Sequence, residues 1–261
     1  MSVAKKECIE ELLKDNLKYN IMVFDEVDST NNIAKQLAVQ GIEDKTLVVA
    51  NRQTGGRGRL GRSFLSPEGG IYLSVILRPS FSVEQILKIT SGMAVAVRRV
   101  LAQYCEDVKI KWVNDIYISQ KKVCGILAES ATDSSGKLSY VIVGIGINVF
   151  GKCSDYGKDL ENIVTTLEEN CDICLDNNVI IAKIYEEVLN VYSTLDRFEN
   201  VMSEYKKHSL VIGKNVYMIK GDEKKEVRVI DIDADGALNV IDCITDEEVK
   251  ISSGEISIRF N

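Results

Sequence analysis

The chain has 261 residues, of which 45% are hydrophobic and 27% charged, and its formal net charge at pH 7 is −7. The length suits one large domain and a small one, and the composition is that of a globular protein. An acidic chain disfavours nucleic-acid binding over the whole surface, because phosphate binding requires a basic face. No segment approaches the ~20 consecutive apolar residues of a membrane helix, and the N-terminal residues lack the apolar core of a signal peptide. A cytoplasmic location without membrane attachment is therefore expected.

Seven cysteines and one histidine limit the chemistry that the chain can perform. Only Cys171 and Cys174 form a CxxC pair, and no second pair stands at the spacing of a zinc site. An odd number of scattered cysteines indicates free thiols rather than a disulfide framework. His208, the only histidine, is predicted to lie on the surface, which disfavours hydrolases that depend on a histidine base.

Apolar periodicity and turn residues divide the first 210 residues into helices and strands. Helices are predicted over residues 3–19, 32–40, 83–104, 159–169 and 178–206. Strands are predicted over residues 20–27, 46–50, 71–77, 108–112, 116–118, 123–129 and 138–149. Residues 51–62 are predicted to form a long loop that is rich in glycine and arginine.

The sequence changes character near Gly213, where short β-rich segments separated by turn residues begin. Strands are predicted over residues 215–219, 227–232, 238–241, 247–251 and 255–260. Five short strands within about fifty residues are typical of a small β-barrel. We therefore place a domain boundary near residue 211, which gives units 1–211 and 212–261.

Residues 55–62 (GGRGRLGR) are the strongest candidate for an anion pocket. Glycines allow a close backbone approach with free amide N–H groups, and arginines match carboxylate and phosphate. A solvated basic loop, or a contact between two copies of the chain, would account for the same residues. The spacing of Gly56, Gly58 and Gly61 also fits a dinucleotide fingerprint, but that fingerprint must open a helix, and a strand follows here.

Three further segments are candidates for the same site. Residues 111–115 (KWVND), followed by Lys122, bring charges to a hairpin, where Asp115 could hold Mg²⁺, orient a lysine or cap a turn. Residues 28–31 (DSTN) offer N-caps for the helix that follows, and a capped helix start can also bind a small polar ligand. The glycines of residues 144–148 (GIGIN) indicate close packing by a nucleotide or by another element.

Together these segments resemble the biotin–protein ligase family. The residues that carry the resemblance are 28–31 (DSTN), Gln53 with 56–62 (GRGRLGR), 111–117 (KWVNDIY), 122–127 (KVCGIL) and 144–149 (GIGINV). They occur in the family's order and spacing, and the similarity spans residues 20–260. Lipoate–protein ligases and octanoyltransferases share the fold but do not usually carry GRGRxGR together with KWxND. The chain departs from the family at Val113, where proline is usual, and at Phe64, where tryptophan is frequent.

The resemblance implies an α+β fold, with a mixed-sheet, class II synthetase-like catalytic domain and a small SH3-like β-barrel at the C-terminus. It implies a ligase that uses Mg²⁺ and ATP to form biotinyl-5′-AMP and then transfers biotin to a lysine. The implied partner is a biotin carboxyl carrier domain of a biotin-dependent carboxylase, and a homodimer stays open. Many bacterial members carry an N-terminal winged-helix domain, but only about twenty residues precede the first predicted strand here, too few for its three-helix unit, so no sequence-specific DNA binding is expected. A catalytically silent biotin-binding module and a basic-loop nucleic-acid binder are the alternatives from other classes.

The resemblance also assigns roles to the matching positions. Biotin binding is implied for Ser29, Thr30, Asn31, Gln53, Arg57, Gly58, Arg59, Lys122 and Gly125. Nucleotide binding is implied for Arg57, Arg59, Phe64, Lys111, Asn114 and Asn148. The implied catalytic residues are Arg57, Lys111, Asp115 and Lys122, with Asp115 as the candidate Mg²⁺ ligand.

Overall fold

The computed structural model describes residues 2–13, 20–80, 86–172, 174–252 and 256–260. A seven-stranded mixed sheet, with strand order β1-β2-β3-β7-β6-β5-β4, forms the larger unit. Its strands are β1 Ile21–Val27, β2 Thr46–Gln53, β3 Ile71–Leu77, β4 Lys109–Lys111, β5 Asp115–Ile118, β6 Lys121–Thr132 and β7 Leu138–Ile147. Its helices are α1 Lys6–Leu12, α2 Thr30–Val39, α3 Ile86–Leu101, α4 Asn177–Ser193 and α5 Phe198–Lys207. None of the described helices is long and apolar enough to cross a membrane.

Helices cover both faces of this sheet. Strands β1 and β2 are parallel, and helix α2 makes the crossover between them. Successive side chains of β2 point to opposite faces, so Leu47 and Val49 join the main core with helices α3 and α4, whereas Val48 packs with Ala34 and Ala38 of helix α2. The end of the sheet beside the start of helix α2 stays uncovered by these helices and carries the cavity described below.

The C-terminal residues form a separate antiparallel sheet with strand order β11-β10-β9-β8-β12. Its strands are β8 Asn215–Lys220, β9 Glu223–Ile232, β10 Leu238–Asp242, β11 Glu248–Ile251 and β12 Ile256–Phe260. The mixed sheet followed by a small antiparallel sheet confirms the predicted fold class. The boundary at residue 211 stays a prediction.

Two helix predictions were wrong. Residues 159–169 form turns instead of a helix, because their backbone pairs with strand β6: Lys122 N–H donates to Ile163 O (2.8 Å) and Thr165 N–H donates to Lys122 O (2.8 Å). The predicted helix 178–206 is divided into α4 and α5 by a 3₁₀ turn at Leu195–Arg197. The predicted helices 3–19 and 83–104 and the predicted strand 255–260 correspond to the shorter elements α1, α3 and β12. Residues 14–19, 83–85 and 255 of these predictions lie outside the described residues.

The cysteine prediction was wrong for one pair. Cys105, which follows the C-terminus of helix α3, and Cys171, which precedes helix α4, are joined by a disulfide across 66 residues of sequence. Five cysteines are free: Cys8, Cys124, Cys153, Cys174 and Cys243. The packing of helix α4 beside helix α3 brings the two bonded cysteines together, and their spacing in the sequence carries no sign of this.

Arg99 of helix α3 joins three helices through two carboxylates. Its guanidinium contacts Glu187 of helix α4 at 2.7 Å and Glu204 of helix α5 at 2.6 Å. Partial burial by itself would raise the pKa of the Glu204 carboxyl, but the hydrogen bonds and charge of Arg99 outweigh burial. The pKa of Glu204 therefore lies below its ordinary value.

Replacing Glu204 with glutamine is expected to lower the free energy of unfolding at pH 7 by about 2 kcal/mol, the contribution typical of a hydrogen bond to a charged group. Because the pKa of Glu204 is depressed in the folded state, its contribution is present above the ordinary carboxyl pKa and is lost as the pH falls through the folded-state value. Urea denaturation at a series of pH values from 7 downward checks this. The wild type and the Glu204→Gln variant should differ at pH 7, and the difference should shrink as the pH falls below the ordinary carboxyl pKa.

Candidate active site

A cavity of about 670 Å³ opens at the uncovered end of the seven-stranded sheet. Its size lies within the range of small-molecule binding sites, about 300–1,000 Å³. Every residue to which the resemblance gave a role lines it: Ser29, Thr30, Asn31, Gln53, Arg57, Gly58, Arg59, Phe64, Lys111, Asn114, Asp115, Lys122, Gly125 and Asn148. His208, by contrast, follows helix α5 and does not line the cavity.

The start of helix α2 presents buried polar side chains to the cavity. Ser29 occupies the N-cap position of helix α2, as predicted. Its side chain makes no capping hydrogen bond, so that part of the prediction was wrong. Thr30 N–H donates to Gln53 Oε1 at 2.8 Å. Gln53 Nε2 in turn donates to Ser66 Oγ at 2.9 Å, which fixes the orientation of the Gln53 amide.

Beneath this group a hydrogen-bonded chain reaches Arg57. Ser74 of strand β3 has its hydroxyl 2.8 Å from Thr30 Oγ1 and 2.7 Å from Asn31 Oδ1. Asn31 Nδ2 donates to Glu129 Oε2 at 2.8 Å, and Arg57 Nη2 lies 3.4 Å from Glu129 Oε1. Ser74 and Glu129 were not predicted as site residues, because each lies in a predicted strand that carries no motif of its own at that position.

The glycine and arginine loop folds back on itself. Phe64 N–H donates to Gly56 O and Gly58 N–H donates to Arg62 O, both at 2.8 Å. Arg59 Nη1 donates to Asn114 Oδ1 at 3.1 Å, which ties the loop to the turn between strands β4 and β5. Burial lowers the pKa of the Arg59 guanidinium, and the charge of Asp115 opposes that effect.

The glycines of strand β7 make room for side chains of the chain itself. A Cβ at Gly146 would lie 2.5 Å from the Phe64 ring, and a Cβ at Gly144 would collide with the Asn31 amide. Phe64 also contacts Tyr72 edge to face, with 6.5 Å between ring centroids. An aromatic ring thus fills the position where the family often has tryptophan, and residues 144–148 close one wall of the cavity.

Cationic side chains line the wall formed by strands β4 to β6. Lys122 Nζ lies 2.8 Å from Asp115 Oδ1, and both side chains are about three-quarters buried. Lys111 Nζ lies 3.2 Å from the Tyr117 hydroxyl and 5.1 Å from the centre of its ring. Val113, which replaces the family's proline, is buried, and the Trp112–Val113 peptide bond is cis.

Comparison with known proteins identifies the relatives of this chain. A model described as the biotin/lipoate A/B protein ligase family matches residues 23–148, and one described as the biotin protein ligase C-terminal domain matches residues 211–259. The bifunctional ligase/repressor BirA of Salmonella typhimurium is 31% identical over 92% of this chain and 74% of its own length. A biotin protein ligase from Aquifex aeolicus, solved with biotin and ATP, matches with a TM-score of 0.79 and 30% identity, over 93% of this chain and 99% of that chain.

The chain belongs to the biotin/lipoate A/B protein ligase family. It spans a smaller share of other relatives, such as 60% of the bifunctional ligase/repressor BirA of Bacillus spizizenii, to which it is 36% identical. Membership of this family confirms the resemblance on which the site residues were chosen, while the role of each residue stays a prediction.

One wall of the cavity was not predicted from the sequence. It is formed by the segment that follows strand β7, and its lining residues are Tyr156, Leu160, Asn162, Ile163 and Val164. A helix had been predicted over part of this segment, residues 159–169. Asn148 Nδ2 donates to Thr165 O at 3.2 Å, but Asn148 Oδ1 and the Tyr156 hydroxyl are buried without a partner among the described residues. Such groups cost free energy unless a ligand or a water molecule satisfies them, so this wall is a candidate for polar recognition.

A metal ion fits the site only in a restricted way. Among the described residues there is no group of three or more histidine, cysteine, aspartate or glutamate side chains that could hold one. Asp115 offers a single carboxylate, and that carboxylate contacts Lys122. This arrangement suits Mg²⁺, which keeps several waters and is usually bound by one or two carboxylates together with substrate phosphates.

Proposed function

We propose that the chain is a biotin–protein ligase that adenylates biotin and transfers it to a lysine of a biotin carboxyl carrier domain. The observation that carries the proposal is that buried neutral polar side chains and several cations line the same cavity. Biotin has the matching chemistry, because its ureido ring is neutral and polar and its side chain ends in a carboxylate.

The neutral group suits the ureido ring. Ser29, Thr30 and Gln53 are polar and line the cavity, and hydrogen bonds to neighbouring strands and loops hold Thr30 and Gln53. A site built to hydrogen-bond polar ligand atoms rejects a ligand that lacks them, because its own buried groups would stay unpaired. This property favours biotin over lipoate or octanoate, whose ring or chain offers no N–H group.

The cations suit the adenylation step. A carboxylate oxygen of biotin attacks the α-phosphorus of ATP, the bond to the β-phosphate breaks, and pyrophosphate leaves with the bonding electrons. Carboxylate and triphosphate repel each other, so Arg57, Arg59, Lys111 and Lys122 would bring them together and stabilise the charge of the transition state. Asp115 would hold Mg²⁺ together with the phosphates, and the ion would add positive charge beside them.

The second step needs no additional cofactor. The lysine amine of the acceptor attacks the carbonyl carbon of biotinyl-5′-AMP and loses a proton, and AMP leaves with the electrons of the broken C–O bond.

We further propose that the units 1–211 and 212–261 act as catalytic domain and SH3-like domain. We also propose that the enzyme works in the cytoplasm without binding a DNA operator. A sequence-specific footprint made by the purified protein would contradict the last point.

The test is ATP–pyrophosphate exchange by the purified chain with Mg²⁺ and with biotin, lipoate or octanoate added separately. Exchange that requires biotin is the expected result. Exchange with lipoate or octanoate instead would overturn the proposed substrate and the assignment of Ser29, Thr30 and Gln53. Biotin binding without any exchange would indicate a silent binding module.

Replacing Asn148 with alanine is expected to raise the KM for ATP about tenfold and to leave the Kd for biotin unchanged. The reason is that Asn148 Oδ1 is a buried acceptor without a partner among the described residues, and the adenine amino group can donate to it. Asn170→Ala serves as the control, because Asn170 contacts the same segment through Thr165 and Thr166 but does not line the cavity. Equal KM values for ATP in the wild type and the Asn148 variant would remove Asn148 from the nucleotide site.

A further inference from the structure

A turn of the C-terminal sheet touches the turn that carries two of the candidate site residues. The indole N–H of Trp112 donates to the carbonyl oxygen of Gly236 at 2.9 Å, and this hydrogen bond is buried. Trp112 lines the cavity and directly precedes Val113, Asn114 and Asp115, whereas Gly236 lies between strands β9 and β10. The bond therefore connects the small C-terminal sheet with the wall of the candidate active site.

Hydrogen bonds hold the turn between strands β9 and β10 in a fixed conformation. Asp233 Oδ1 accepts hydrogen bonds from the backbone N–H groups of Asp235 (2.9 Å) and Ala237 (3.0 Å), and Asp233 N–H donates to Ala237 O at 2.8 Å. Gly236 has a φ of 86°, and a Cβ there would lie 3.2 Å from Ser91 Oγ and 3.3 Å from Leu87 Cγ of helix α3. The positive φ favours glycine at this position, and a Cβ there would have to displace Ser91 or Leu87 by a few tenths of an ångström.

On the other side of the bond, the turn between strands β4 and β5 is tied to the cavity. The Tyr205 hydroxyl donates to Val113 O at 3.1 Å. Asn114 Nδ2 donates to Ile126 O at 2.6 Å, and Asn114 Oδ1 accepts from Arg59. A shift of Trp112 would therefore move Asn114 and Asp115, and with them the side chains that these two residues contact.

We propose that Gly236 and Trp112 are positioning residues for the adenylation step, so that the C-terminal unit holds Asn114 and Asp115 in place through the indole–carbonyl hydrogen bond. The inference rests on the proposed ligase function. A displacement of about 1 Å in positioned catalytic groups can reduce a rate by about 10²-fold even when the displaced residue does not react. The effect should consequently fall more on kcat than on the KM for biotin. The side chains of Asn114 and Asp115 contact Arg59 and Lys122 of the residues assigned to biotin, whereas Ser29, Thr30 and Gln53 have no hydrogen bond or ion pair with this turn among the described residues.

The experiment compares Trp112→Phe, which removes only the indole N–H and part of the ring, with Gly236→Ala, which displaces the turn from the other side. For both, kcat of biotin-dependent exchange is expected to fall at least tenfold while the KM for biotin changes less than threefold. The control is Lys88→Ala, which breaks the 3.6 Å contact of Lys88 with Asp235 of the same turn but leaves Trp112 untouched, and is expected to keep kcat within twofold. Because Trp112 is the only tryptophan, its fluorescence maximum should shift in Gly236→Ala and stay unchanged in Lys88→Ala.

The double variant decides whether the two residues act through one contact. If they do, Trp112→Phe combined with Gly236→Ala loses no more activity than the more severe single variant. Multiplied losses, or a lower melting temperature with an unchanged kcat in Trp112→Phe, would overturn the positioning role. Absence of exchange in the wild type would instead overturn the proposed function and this inference with it.

Discussion

Replacing Lys122 with methionine is expected to reduce the rate of biotin-dependent pyrophosphate exchange about 10²- to 10³-fold, the loss typical of removing one positioned donor from developing negative charge. Lys122 lines the cavity on strand β6, and its ammonium group is held 2.8 Å from Asp115 Oδ1. Methionine keeps most of the side-chain volume and removes the charge, so packing is preserved. Single-turnover measurement of biotinyl-5′-AMP formation separates this chemical step from product release.

The neighbouring lysine provides a matched control. Lys121 does not line the cavity, and its ammonium group donates to Glu161 O at 3.1 Å. The Lys121→Met variant has the same change in charge and size, and we expect it to retain the exchange rate within about threefold, because Lys121 does not line the cavity. Equal losses in the two variants would show that net charge, rather than the position of Lys122, controls the rate.

Replacing Gly56 with alanine is expected to reduce exchange at least 10²-fold by opening the glycine and arginine loop. Gly56 is buried, and a Cβ there would collide with the Phe64 carbonyl and lie 2.5 Å from Ser66 Oγ. Because the closest atom belongs to the backbone, no side-chain rotation relieves the collision. The hydrogen bond from Phe64 N–H to Gly56 O must then break, which displaces Arg57 and Arg59 from the cavity.

Gly58 on the same loop gives the comparison. A Cβ at Gly58 would meet no atom closer than Arg62 O at 3.4 Å, which is ordinary van der Waals contact, and its φ of −116° suits any residue. The loss of activity in Gly58→Ala should be at least ten times smaller than in Gly56→Ala. Limited proteolysis within residues 56–64 checks the mechanism, since only the Gly56 variant should be cleaved faster than the wild type.

The sequence by itself determined the strands, the family and the set of candidate site residues. Alternating and continuous apolar runs gave the strands of both sheets within a few residues, because burial of a sheet face imposes its period on the chain. Glycines, arginines and lysines at the positions of GRGRxGR and KWxND indicated the site, because close backbone approach and fixed positive charge require those residue types.

Only the tertiary structure decided the contacts between segments that are distant in sequence. Residues 159–169 have the apolar spacing of a helix, yet their backbone pairs with Lys122 and forms a wall of the cavity. Glu129 lies in a predicted strand, and nothing in the sequence indicates its partners. The fold brings it into contact with Asn31 and with Arg57 of the glycine and arginine loop. Likewise, Gly236 reads as a turn glycine, and the fold places its carbonyl against Trp112. Local patterns specify local conformation, whereas these pairings depend on how the sheet and its loops meet in space.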